Sequence, residues 1–177
     1  VLTNYIEIFE SGVTYSTYLN TFKFAFLGWL FTVIIGFTLA YFLAFHVRTL
    51  RWQIILFLIC TIPFWTSNII RMIAWIPVLG RNGLMNSLLL ELGVISEPLE
   101  WLLYSDFAVI LAFVHLYTLF MLVPIFNSMM RIDKSIIEAA QDMGANSLQI
   151  LINVIVPLCL PGIAIGTIFV VSLIMGD

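Results

Sequence analysis

Four apolar runs, Phe22–Phe45, Trp52–Val78, Phe107–Met130 and Leu151–Met175, govern what this chain can fold into. A helix rises ~1.5 Å per residue and a bilayer core is ~30 Å thick, so about 20 apolar residues cross it. Each run reaches that length. Backbone groups in lipid find no water, so each run must satisfy its own N–H and C=O groups as helix. Barrel strands would show alternating segments of ~10 residues instead. Only 10% of residues are charged and 62% are hydrophobic, whereas a soluble domain carries about 25% charge. The expected fold class is therefore an all-α polytopic membrane protein with at least four spans in this segment. At 177 residues it is one domain's length.

The charge pattern orients the spans. Arg48 and Arg51 flank the connection after the first run, and Arg131 and Lys134 open the one after the third. Basic residues concentrate in cytoplasmic loops, so both connections are expected inside the cell. The segment between the second and third runs has Arg81 against Glu91, Glu97, Glu100 and Asp106. It belongs outside, with Glu7 and Glu10. Within it, "NGLMNSLLLELGV" has a helical apolar pattern that stops at Gly93, too short to span and suited to an interfacial or re-entrant helix. The net charge of −3 and the lack of a basic run argue against a nucleic-acid partner. Cys60 and Cys159 sit in apolar runs and read as buried thiols, with no metal-ligand spacing. The N-terminal residues lack the charged and apolar regions of a signal peptide. The chain starts with Val1 and stops at Asp177 without a polar tail, and is expected to be part of a longer one.

The least lipid-like stretch is cytoplasmic, "EAAQDMGANSLQILINVIVPLCLP", residues 138–161. Ser135 and Glu138 have capping-box spacing, which predicts a helix starting there and ending at Gly144, a residue that tolerates the left-handed position. Asn146 and Gln149 offer a second cap, for a helix running toward Pro157 into the fourth span. Ala139 and Ala140 leave a flat face that another surface can approach. The plainer reading is a capped interfacial helix pair that only leads into the next span.

The spacing adds to this. Glu138-Ala139-Ala140 is followed three residues later by Gly144, and nine residues after that by Val154-Ile155-Val156-Pro157. This resembles the E-A-A, three residues, G, nine residues, I-x-L-P signature of permease subunits of binding-protein-dependent ABC importers, with valine for isoleucine and for leucine. The segments Pro63–Trp75, Asn82–Leu99 and Arg131–Ala145 look like the spermidine and putrescine branch. The resemblance implies a type I ABC importer transmembrane domain (the MetI-like helical fold) over residues 1–177, lacking one span at each end. It makes 131–150 a coupling loop, with Glu138, Ala139, Ala140, Gly144 and Pro157 as its marker residues, docking on an ATP-hydrolysing subunit. It further implies a dimer of ATP-binding subunits, a second homologous permease, a periplasmic or lipid-anchored solute-binding protein, a polyamine substrate and the bacterial inner membrane.

The residues themselves point the same way. No Gly-Lys pair exists to build a phosphate cradle, and no metalloprotease, esterase or paired-carboxylate motif occurs. The chain is expected to be a non-catalytic path with no cofactor of its own, ATP and Mg being held by the partner ATPase. Pro63 is expected to kink the second span, and Phe64 and Trp65 beside it read either as an aromatic constriction suited to ammonium groups or as aromatics packed on lipid and neighbouring helices. Arg71, placed toward the outer leaflet, reads either as a snorkelling or structurally paired arginine or as part of an outer gate. His115 is expected to be a neutral mid-span histidine bonded to a carbonyl. Tyr117, Thr118 and Asn127 are candidate contacts to companion helices. Asp177 follows Gly176 as an acid does in polyamine permeases, and reads equally as an attractor of substrate amines or as a helix-end acid in solvent. The alternatives are an ABC permease for another small solute, amino-acid-like or an organic ion, and an ATP-independent channel or secondary transporter.

Overall fold

The computed structural model describes residues 12–47 and 49–176; Glu7, Glu10, Arg48 and Asp177, invoked above, lie outside the described residues. Helix α1 (Gly12–Tyr41) starts well before the expected Phe22. Its first turns are rich in hydroxyls, which lower the hydropathy without interrupting the helix. Ser16 and Thr17 donate to the Val13 carbonyl at 2.9 Å, and Thr21 donates to the Thr17 carbonyl at 3.0 Å. Each hydroxyl is satisfied one turn back, a pattern that suits helices in lipid. A π-turn, Phe42–His46, closes the helix. Its loose carbonyls are taken up by Gln53, whose Nε2 donates to Val47 at 3.0 Å and Ala44 at 3.3 Å.

The second apolar run departs from the expected single span. Helix α2 (Leu50–Thr61) tightens into a 3₁₀ turn, Ile62–Trp65, and then breaks. Short helices α3 (Asn68–Ile73), α4 (Ile76–Leu79) and α5 (Leu84–Glu91) follow. The two halves, Leu50–Trp65 and Asn68–Glu91, meet at 93°. Pro63 has no N–H to donate back along the helix. Thr66 then turns extended, with its N–H and Oγ1 both donating to the Pro63 carbonyl, at 3.3 and 2.7 Å. The expected kink is thus a break, and it lies three residues beyond the proline, where the hydroxyl offers the chain another hydrogen bond.

Helix α6 (Asp106–Met129) matches the third run almost residue for residue, capped by Ser105, whose side chain accepts from the Ala108 N–H. Helix α7 (Lys134–Asp142) and helix α8 (Ser147–Ile150) form the cytoplasmic connection. A π-turn, Leu151–Ile155, joins α8 to helix α9 (Val156–Gly176). The π-turn sits just before Pro157, where a wider turn accommodates the missing donor. Three helical stretches are long and apolar enough to cross a membrane, Gly12–His46, Asp106–Met129 and Ser147–Gly176, and the bent pair makes a fourth if counted as one span.

The core is the packing of α1, α6 and α9. Helix α1 turns Ala25, Gly28, Thr32, Gly36 and Ala40 inward, and α9 turns Cys159, Gly162, Gly166, Val170 and Ile174. Both sets repeat at three to four residues, the spacing of one helix face. Their small members let α6 close in on Met121, Leu122 and Ile125, each nearly inaccessible. A Cβ on Gly166 would lie 3.2 Å from the Met121 Cα, and one on Gly36 3.3 Å from the Leu122 backbone nitrogen. A hydrogen bond crosses this core, from Trp29 Nε1 on α1 to Thr167 Oγ1 on α9 at 2.9 Å. Cys159 is buried and Cys60 half-buried, both as free thiols.

Candidate coupling loop and intramembrane cavity

The cytoplasmic loop is built from two capped helices around one glycine. The first cap is Asp133, not the expected Ser135: the Asp133 carboxylate accepts the Ser135 N–H at 3.0 Å, and α7 begins at Lys134. That bond holds the Asp133 carboxyl below the usual carboxylate range. An acidic residue two positions earlier captures the free helix-start donor before the serine does. Glu138 is therefore released from any capping duty. It is exposed, and the ion pairs among the described residues are Lys23–Asp106 and Arg81–Glu100, neither involving it.

The end of α7 is a Schellman motif. Gly144 has φ +84°, the Gly144 N–H bonds the Gln141 carbonyl at 2.8 Å and the Ala145 N–H bonds the Ala140 carbonyl at 3.0 Å. The capping box at α8 is complete: Asn146 accepts from the Gln149 N–H and Gln149 accepts from the Asn146 N–H, both at 2.9 Å. Every turn of the loop is thus pinned by backbone hydrogen bonds. The alanine pair divides. Ala140 is buried against the bundle with Ala145 packed beside it, whereas Ala139 is exposed. Ala139 shares its outward face with Ile136 and with Met143, 83% exposed, and exposed Leu148 follows on α8. Glu138, Lys134 and Gln141 line a groove of about 360 Å³ between α7 and the end of α1, closed by Tyr41, Phe45 and His46. Pro157 is exposed at the start of α9.

The other candidates lie in the membrane. Phe64 sets its ring edge-on to Phe120 at 5.4 Å while staying exposed on its other side. Trp65 turns away and is 83% exposed, so the two do not form one constriction within this chain. The 93° bend carries α3 back against α6, and Arg71 is only 7% exposed. It lines a cavity of about 370 Å³ with Phe64, Trp75, His115 and Thr118. Its Nη2 donates to Asn68 Oδ1, and its Nε has no hydrogen-bond partner among the described residues. The His115 ring meets Trp75 edge-on at 5.6 Å. Tyr117 is buried, and Thr118 donates back to the Val114 carbonyl at 2.5 Å.

One residue the sequence reading passed over organises the outer segment. Asn86 is 1% exposed; its Nδ2 donates to the Gly80 and Leu99 carbonyls at 3.1 Å, and its Oδ1 accepts the Leu99 N–H at 2.9 Å. An asparagine on the short helix Leu84–Glu91, beside Ser87 and among leucines, was its only signal. Gly93, with φ +69°, ends α5 as expected.

No family model matches the chain. It is 34% identical to the spermidine/putrescine transport system permease protein PotB of Escherichia coli strain K12 over 175 residues, 99% of this chain and 62% of that relative. The PotB of Haemophilus influenzae is 30% identical, again over 99% of this chain. The inner membrane ABC transporter permease protein YdcU of Escherichia coli is 29% identical over 99% of this chain and 59% of its own length. A putative 2-aminoethylphosphonate transport system permease protein, PhnU of Salmonella typhimurium, is 35% identical over 94 residues. The chain spans about three fifths of the length of the PotB relatives. That similarity runs through nearly its whole length and, with its bundle of membrane-length helices, makes the chain similar to ABC transporter permease subunits.

Proposed function

We propose that this chain is the membrane-spanning permease subunit of an ATP-driven importer for polyamines, spermidine or putrescine, in a bacterial inner membrane. The observation that carries this reading is the similarity to PotB proteins across 99% of the chain. Residues 131–150 are its coupling loop. ATP and Mg reside on a separate dimer of ATP-binding subunits, whose closure moves α7. A companion permease completes the pore, and a solute-binding protein delivers the substrate outside. The loop suits this role because a flexible linker would absorb the displacement as chain entropy, whereas α7 and α8 are hydrogen-bonded at each turn. Glu138, Ala139 and Gly144 act at the contact, Ala140 seats the loop on the bundle, and Pro157 marks its passage into α9. Phe64, Trp65, Arg71 and Asp177 remain the pore and gate candidates.

The test is uptake of labelled spermidine and putrescine into proteoliposomes holding the assembled complex. Uptake is expected to need ATP and loaded binding protein, and Glu138→Lys is expected to abolish stimulation of ATP hydrolysis by that protein while the permease stays folded. Solute uptake by this chain without an ATPase would overturn the reading in favour of a channel or secondary transporter. A relative named for 2-aminoethylphosphonate supports a second substrate class, an amine bearing an anionic group, and competition by that compound but not by putrescine would select it.

A further inference from the structure

We propose that Arg71 is one half of an intramembrane ion pair whose carboxylate comes from a second membrane-spanning chain of the assembled transporter. This rests on the reading of the chain as one subunit of such an assembly. Arg71 is 7% exposed, its Nη2 is bonded to Asn68, and its Nε lacks a partner among the described residues. Asn68 is neutral, and so it leaves the charge uncompensated. The cavity Arg71 lines adds His115, Trp75, Thr118 and aliphatic side chains, but no acid.

Depth decides the source of the missing anion. His115, which shares the cavity, stands nine residues after Asp106 in the 24-residue α6. At ~1.5 Å per residue that is about 14 Å below the outer end, close to the middle of a ~30 Å hydrocarbon core. A lipid phosphate at the interface is out of reach. The described acids Glu91, Glu97, Glu100, Asp106, Asp133, Glu138 and Asp142 all lie in the outer or cytoplasmic segments. A solute anion would occupy the site only in passing and leave the cation bare between transport events. A buried charge is costly unless it is paired or reaches water. The cavity has exposed walls, Ile35, Phe64 and His115, so a helix of another chain can bring a carboxylate to it.

The experiment uses the complete complex in membranes. In the first arm Arg71 is untouched and a photoreactive phenylalanine analogue replaces Val114, a cavity-lining residue. The expected product is a cross-link to another membrane-spanning chain, mapping within a helical turn of an Asp or Glu. Cross-links only to lipid or to this chain itself overturn the proposal. In the second arm, Arg71→Met is expected to lower the amount of companion chain that co-purifies about tenfold or more, with Arg71→Lys keeping most of it. Unchanged co-purification overturns the proposal, and a raised KM for solute with assembly intact assigns the site to a solute anion instead. Failure of the unaltered chain to co-purify with an ATPase would refute the subunit reading itself, which neither arm's failure does.

Discussion

At Asp133 a single carboxylate decides where the coupling helix begins. Its folded pKa is depressed by the Ser135 N–H, so the capping contribution is present above the ordinary carboxyl pKa and is lost as the pH falls through the folded value. Protection of the Ser135 and Ile136 amides, relative to their intrinsic exchange rates at each pH, should therefore fall in acid, below the ordinary aspartate pKa of 3.8. Asp133→Asn, a neutral but competent cap, should flatten that pH dependence, and Asp133→Ala should raise exchange at neutral pH as well. Exchange in Asp133→Ala equal to the parent would refute the assignment. The sequence pointed to Ser135, whose spacing to Glu138 fits a capping box, and only the geometry moves the cap to Asp133. The glycine was legible for the opposite reason: few residues besides Gly144 tolerate φ +84°. The burial of Arg71 was not legible, because it depends on a bend the local sequence does not dimension.

Helix α6 and helix α9 show what hydropathy alone leaves out. The runs announced both helices, yet their contact is set by Gly162 and Gly166, whose four-residue spacing was the available signal and was not used. A Cβ on Gly162 would come within 3.0 Å of the Pro124 carbonyl carbon and overlap Ser128 Oγ, whereas Gly176 has nothing within 4 Å. Gly162→Leu is expected to force α6 and α9 apart at a cost of about 1–3 kcal/mol or more, and Gly176→Ala to be near neutral. Thermal unfolding in detergent distinguishes them, and equal midpoints would show that the seam is not tightly packed. The second run is broken in its middle for a related reason. Its apolar content is continuous, but Pro63 and Thr66 give the backbone other hydrogen bonds, and a window average is blind to where donors go.

Across the whole molecule the same device appears at both membrane surfaces. Gly93 ends α5 outside with φ +69°, and Gly144 ends α7 inside with φ +84°, each in a Schellman motif: the Val94 N–H bonds the Leu89 carbonyl at 3.0 Å, as the Ala145 N–H bonds Ala140. A side chain at either position meets no neighbour within 4 Å, so an alanine there carries a backbone cost of about 1–2 kcal/mol and little else. Gly93→Ala and Gly144→Ala are thus matched in strain and differ in location. If force enters through residues 131–150, both variants should lose similar thermal stability, while only Gly144→Ala should lose stimulation of ATP hydrolysis by the loaded binding protein. Basal hydrolysis, which belongs to the partner, should survive in both. Equal loss of stimulation in the two variants would mean that general destabilisation, and not a stiff cytoplasmic joint, governs coupling.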